Sequence, residues 1–83
     1  MDHIARSPKQ LGAVLRRYRR QGNVTQTDIA AKTHLRQATI SALENGEVGT
    51  QIKTLTDVLA ALDLELLVRP RTRSQASDIE DLT

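Results

Sequence analysis

The apolar residues of this chain fall into several stretches spaced for helices and one stretch that is not. Leu11, Val14, Leu15 and Tyr18 recur at three- and four-residue intervals, the spacing of one helix face. Ser7-Pro8-Lys9-Gln10 ahead of them is a start signal. Ser7 can cap, Pro8 suits the first turn, and Gln10 can reach back as in a capping box. Gly22-Asn23 ends the helix near Gln21, because either residue can take a left-handed backbone. Arg16, Arg17 and Arg20 fall largely off the buried stripe.

The next stretch, Thr25 to Gly46, reads TQTDIAAKTHLRQATISALENG. Thr25 is placed to cap a second helix over about Gln26 to Thr33, with Asp28 as its capping-box acid. Asp28 also suits the positive end of that helix. Thr33-His34-Leu35 forms a turn, and a third helix runs from about Arg36 to Asn45, closed by Gly46 in a left-handed conformation. On this reading Ile29, Ala30, Leu35, Ile40 and Leu43 face one core. Ala30 is small where the helices cross, and a larger side chain there would cost about 1–3 kcal/mol by overpacking. Arg36, Gln37, Ala38, Thr39 and Ser41 are left outside. Two short helices with a tight turn and a polar outer face on the second form the pattern of a helix-turn-helix, whose second helix enters the DNA major groove.

Glu47 to Gly49 reads as a loop. Thr50 is expected to cap a fourth helix over about Gln51 to Leu62, with Ile52, Leu55, Leu59 and Leu62 inward and Val58 beside them. Leu64-Glu65-Leu66-Leu67-Val68-Arg69 then nearly alternates and is stopped by Pro70, which reads as a strand. A lone strand leaves its backbone groups unpaired, and nothing else in the chain reads as one. Leu64, Leu66, Leu67 and Val68 are therefore expected to pair with the same strand of a second copy. The competing reading continues the fourth helix through them.

The domain reading follows. Residues 1–6 lack periodicity and are expected to be loose. Residues 7–69 form one DNA-binding and dimerisation domain, with the helix-turn-helix at 25–46 and the strand at 64–69. Residues 70–83 form a polar tail expected to be disordered. Its Ile79 and Leu82, flanked by acids, serve either a short docking segment or simple solvation.

Composition narrows the function. Eighty-three residues allow one small domain with a modest core, so association with a second copy would help it. There is no cysteine, and the two histidines, His3 and His34, are far apart, so no metal site is expected. No apolar run approaches the roughly 20 residues of a membrane helix, and the first ten residues lack a signal-peptide apolar region. A cytoplasmic, nucleoid-associated protein is expected, with no membrane partner. The net charge is only +2, but residues 1–53 carry nine basic against four acidic side chains, while Asp78, Glu80 and Asp81 make the end acidic. A basic body suits a polyanion, although a solvated charged surface reads the same way. Paired His and carboxylate groups, a thiol and a glycine-rich phosphate loop are all absent, so neither an enzyme nor a cofactor is expected.

Gln26 opening the second helix, the small Ala30, apolar Ile29, Leu35, Ile40 and Leu43, and the closing Glu44-Asn45-Gly46 resemble the XRE (Cro/C1-type) repressor family. A narrower resemblance covers residues 7–68. Ser7-Pro8, Gln10-Leu11, Thr25-Gln26, Gln37-Ala38-Thr39-Ile40-Ser41, Glu44-Asn45 and the Leu62–Leu66 segment are similar to HipB-type antitoxins. That resemblance implies a mainly α, lambda-repressor-like domain of four helices with one C-terminal strand, paired across a homodimer. It also implies an autoregulating repressor of palindromic operators that binds a HipA-family kinase toxin. Two alternatives stay open: a free-standing XRE repressor without a toxin, and a DNA-binding scaffold in a system where another subunit neutralises the toxin. A module that keeps the fold but binds only protein is a further class, against which Arg36, Gln37 and Lys53 argue. The family usually has glycine where this chain has His34, a residue among the better tolerated in a left-handed turn.

Candidate roles follow. Arg36, Gln37, Ala38 and Ser41 are expected to read bases: glutamine can pair with adenine, arginine with guanine, and alanine can touch a thymine methyl. Thr25, Gln26, Thr27, Thr39 and Lys53 are expected to contact phosphate; Gln26 does so by resemblance and by its place at a helix N-terminus. The alternative for all of them is an ordinary polar surface. By resemblance Arg19 and Glu44 form a structural ion pair between the first and third helices; otherwise both point to solvent. Tyr18, the sole aromatic, reads as core.

Overall fold

A computed structural model describes residues 2–72. Four helices make up its regular structure: α1 (Pro8–Gln21), α2 (Gln26–Thr33), α3 (Gln37–Glu44) and α4 (Ile52–Ala61). α1 packs on α3, and α2 packs on both α3 and α4. Leu15, Ile29, Ile40, Leu43, Val58 and Leu59 form the buried core, with Leu11, Val24, Ala30, Leu35, Leu55, Leu62 and Leu64 packed against it.

Local chemistry sets most of the boundaries. The Ser7 hydroxyl accepts the Gln10 N–H at 3.1 Å, as a cap should. The Gln10 side chain, however, reaches one residue further back than a capping box requires. Its Oε1 accepts the Arg6 N–H at 2.7 Å. At α2 the box is complete: Thr25 Oγ1 accepts from the Asp28 N–H at 3.0 Å, and Asp28 Oδ2 accepts from the Thr25 N–H at 2.9 Å. After α1 it is Asn23, at φ 56°, that takes the left-handed conformation, while Gly22 keeps φ −87°.

The third and fourth helices are shorter than expected. Arg36 and Asn45 are the caps of α3 rather than its ends. Gln51, not Thr50, occupies the N-cap of α4, and it gives no side-chain hydrogen bond. Ile52 points outward at 76% exposure: α4 packs on α2, and the residues it turns to the core begin only at Leu55. The inward stripe is instead Leu55, Val58, Leu59 and Leu62, an i, i+3, i+4, i+7 set.

Two glycines are required by close approach. A Cβ on Gly12 would press on the carbonyl oxygens of Leu43 and Glu44, so α1 meets the end of α3 backbone to backbone. Gly46 has φ 75° and lies against the Lys9 backbone, where a Cβ would come within 2.5 Å of Lys9 Cα.

α4 does not run on into 64–69. Leu62 caps it and Asp63 turns left-handed at φ 59°. The Leu64 N–H then returns to the Leu59 carbonyl at 2.8 Å. Beyond that clasp the chain forms no ladder with any other described residue. The expected pairing is one with a second chain. Leu64 rests on the core, while Leu66, Leu67 and Val68 stand 54%, 70% and 89% exposed. The N-terminal residues lie alongside. The His3 ring meets Tyr18 edge-on at 5.4 Å, and Arg6 Nη2 donates to the Thr72 carbonyl at 3.0 Å. Most of the tail, including Ile79 and Leu82, lies outside the described residues.

Candidate nucleic-acid interface

The turn between α2 and α3 fixes this surface. His34 ends α2 in the left-handed conformation, φ 58° and ψ 25°, and its N–H bonds back to the Ala30 carbonyl. A side chain at positive φ costs about 1–2 kcal/mol, so the site carries strain that glycine would not. The chain then re-enters a helix at Arg36. Ile40 and Leu43 are anchored in the core, which leaves Arg36, Gln37 and Ala38 exposed on the first turn of α3. Thr39 and Ser41 are half-buried, with Ser41 Oγ accepting from Asn45 Nδ2 at 3.5 Å. Arg36 supplies no side-chain cap, so the first N–H groups of α3 are not all satisfied within the chain, in contrast to the boxed start of α2.

Behind this face sits a buried charge cluster. Arg19 and Glu44 are 9% and 5% exposed and form a two-pronged pair. Arg19 Nε reaches Glu44 Oε2 at 2.6 Å, and Nη2 reaches Oε1 at 2.9 Å. Arg19 Nη1 also donates to the Val24 carbonyl at 2.9 Å, which ties the end of α1 to the start of α2. Arg16 adds a second cation, with Nε 3.4 Å from Glu44 Oε1 and Nη2 donating to Asn45 Oδ1 at 2.8 Å. Burial pushes the Glu44 carboxyl up. Hydrogen bonds from Arg19, Gln26 and Arg16, with the Arg19 charge, outweigh it and hold the group below its ordinary value. The Glu44 hydrogen bond raises Arg19 in turn, against the opposing effect of burial.

Of the residues expected to contact phosphate, Thr25, Gln26 and Thr27 open α2. Gln26 is half-buried and bridges two elements, donating from Nε2 to Glu44 Oε1 at 3.2 Å and accepting at Oε1 from Gln37 Nε2 at 3.4 Å. Lys53 stands on α4, where its Nζ pairs with Asp57 Oδ2 at 2.8 Å. Sequence reasoning passed over Gly12, Arg16 and the inward bond of Gln26. Arg16 and Arg19 at i, i+3 on one face of α1 were the available signal for a shared acid. No helix among the described residues is long and apolar enough to cross a membrane.

The helix-turn-helix family model matches residues 15–68. The chain belongs to the helix-turn-helix family. Among curated relatives of this helix-turn-helix chain, a Mycobacterium tuberculosis protein carrying the name antitoxin HigA2 is 38% identical over 71 residues, which are 83% of this chain and 70% of that protein. The antitoxin HipB of Escherichia coli O6:H1 is 32% identical over 78 residues, 92% of this chain and 83% of HipB. Among solved structures, HipB in a HipA-HipB-O2-O3 complex superposes with a TM-score of 0.79 at 31% identity, covering 86% of this chain and all of that one. The helix-turn-helix chain is thus similar to antitoxins along most of its length.

Proposed function

We propose that this chain is a dimeric, sequence-specific DNA-binding repressor that acts as the antitoxin of a HipA-like kinase operon and controls that operon through palindromic operators. The observation that carries the DNA reading is the first turn of α3. Arg36, Gln37 and Ala38 are exposed side by side, on a helix whose other face is locked into the core by Ile40 and Leu43. Donors and acceptors held in fixed geometry on a rigid helix are what base-edge recognition needs. Gln26 at the start of α2 and the uncapped N–H groups of α3 suit phosphate.

The dimer rests on Leu66, Leu67 and Val68, apolar residues exposed beside unpaired backbone. Two copies joined there would present their third helices to successive major grooves about 34 Å apart. The kinase partner rests on the likeness to HipB as it occurs with HipA. The HigA2 relative favours a second reading, in which the same repressor serves an unrelated toxin. Pull-down of a HipA-like kinase encoded beside this chain, by the tagged dimer, separates the two readings.

Fluorescence anisotropy tests the DNA reading, with duplex from upstream of the chain's own gene beside a scrambled duplex. Both are run at roughly 50 and 200 mM salt, a span over which phosphate-dominated affinity falls by orders of magnitude. Tighter binding of the native duplex, with the preference erased by Gln37→Ala, supports the reading. Equal binding of both duplexes, abolished by salt, overturns it.

A further inference from the structure

We infer that Glu44, buried behind the outer face of α3, is a positioning residue that fixes which atoms Gln37 presents to DNA, acting through the Gln26 amide. The inference rests on the DNA reading above. A carboxylate held ionised between two arginines has no proton to give, so it only accepts. The end of the Gln26 amide that faces Glu44 Oε1, at 3.2 Å, must therefore be the NH2 group. That turns the Gln26 carbonyl oxygen toward Gln37. An oxygen with no hydrogen in turn requires the NH2 group of Gln37, which lies 3.4 Å away.

Each amide could otherwise sit either way round, since its oxygen and nitrogen ends have nearly the same shape. The carboxylate removes that choice twice in succession. Gln37 is left with its carbonyl oxygen and one N–H for a ligand. That is one acceptor and one donor in a set order, the complement of the adenine N6–H and N7 edge. A neutral amide at position 44 keeps one acceptor oxygen where the carboxylate has two, so Arg19, Arg16 and Gln26 would compete for it and the direction of the chain of bonds would no longer be fixed.

The test is selection of a randomised duplex library by the full chain, followed by sequencing. It compares the wild type with Gln37→Ala, Glu44→Gln and Gln26→Ala. Gln37→Ala identifies the base pair whose preference depends on that side chain, expected at roughly tenfold or more in the wild type. Glu44→Gln is expected to drive the preference at that base pair toward one while other positions keep theirs. A purely structural role for Glu44 would lower binding evenly across all positions. Gln26→Ala leaves the Arg19–Glu44 pair in place and removes the link together with the proposed phosphate contact of Gln26, a loss that weakens binding to every sequence alike. It is expected to lose the same preference, so the inference stays testable if Glu44→Gln does not fold. Preference retained at that base pair in Gln26→Ala, or in folded Glu44→Gln, overturns the inference and leaves the DNA reading intact. A wild-type profile without preference at any position overturns both.

Discussion

Ile29, Ile40 and Leu43 and the run Leu66-Leu67-Val68 are about equally apolar, yet the first three are almost fully buried and the last three face solvent. The difference lies in the backbone. α2 and α3 close most of their backbone hydrogen bonds along the helix itself, so each can turn an apolar face inward within one chain. The segment after Asp63 has neither a helix nor a neighbouring strand among the described residues, so within the single chain its side chains and its peptide groups are left uncovered together. Hydropathy alone therefore does not locate the core of this molecule; it locates surfaces that must be covered, by the chain itself or by another. The buried region can even hold an ion pair, because Arg19, Arg16, Gln26 and Glu44 satisfy one another there.

The largest test of this contrast is Glu44→Ala. It strands the Arg19 guanidinium in a buried site, and breaking such a pair costs about 3–5 kcal/mol, which urea denaturation would read as loss of much of the fold. Gly12→Ala comes next. Its Cβ would push against the Leu43 and Glu44 carbonyl oxygens, with an expected loss of about 1–3 kcal/mol in the same assay. Acid probes the same region. The folded Glu44 carboxyl lies below its ordinary value of 4.5, so its contribution is complete above that pH and disappears as pH falls through the lowered folded value. Asp28 behaves alike, lowered chiefly by the Thr25 N–H and then by its hydroxyl. Thermal melts should thus be flat near neutrality and drop below about pH 4.5, with a weaker dependence in Glu44→Gln. His34→Gly should stabilise by about 0.5–1 kcal/mol through relief of the positive φ. Leu67→Asp sharpens the comparison by its small effect. Unfolding of the single chain should shift by no more than about 0.5 kcal/mol, while sedimentation should show a dimer reduced to monomer.

What could be read in the sequence was what local chemistry decides. Ser7, the Thr25–Asp28 box and Gly46 act within a turn or so of their own positions, and the helices begin and end near them. The outer face of α3 was legible because the periodicity of Ile40 and Leu43 leaves Arg36, Gln37 and Ala38 only one side to occupy. Ile52 was misplaced because periodicity cannot say whether an element lies opposite a helix's first turn. Gly12, Arg16 and the inward bond of Gln26 depend on where α1 and α3 cross, which no window of sequence records. Gln10 missed its expected partner by one residue: its side-chain oxygen accepts the Arg6 N–H instead.

Asp63 carries a consequence for the proposed DNA-binding dimer. Its left-handed backbone and the 2.8 Å clasp from Leu64 to Leu59 set the direction in which the chain leaves the bundle. In a dimer joined through residues 64–69, that exit angle would act as a ruler. It would set how far apart the two reading heads stand and how they are phased around the double helix. The tolerated gap between half-sites would then be written at a position outside the set of residues proposed to read bases. One could alter it by bending the chain at Asp63 while every letter of the recognition surface stayed the same.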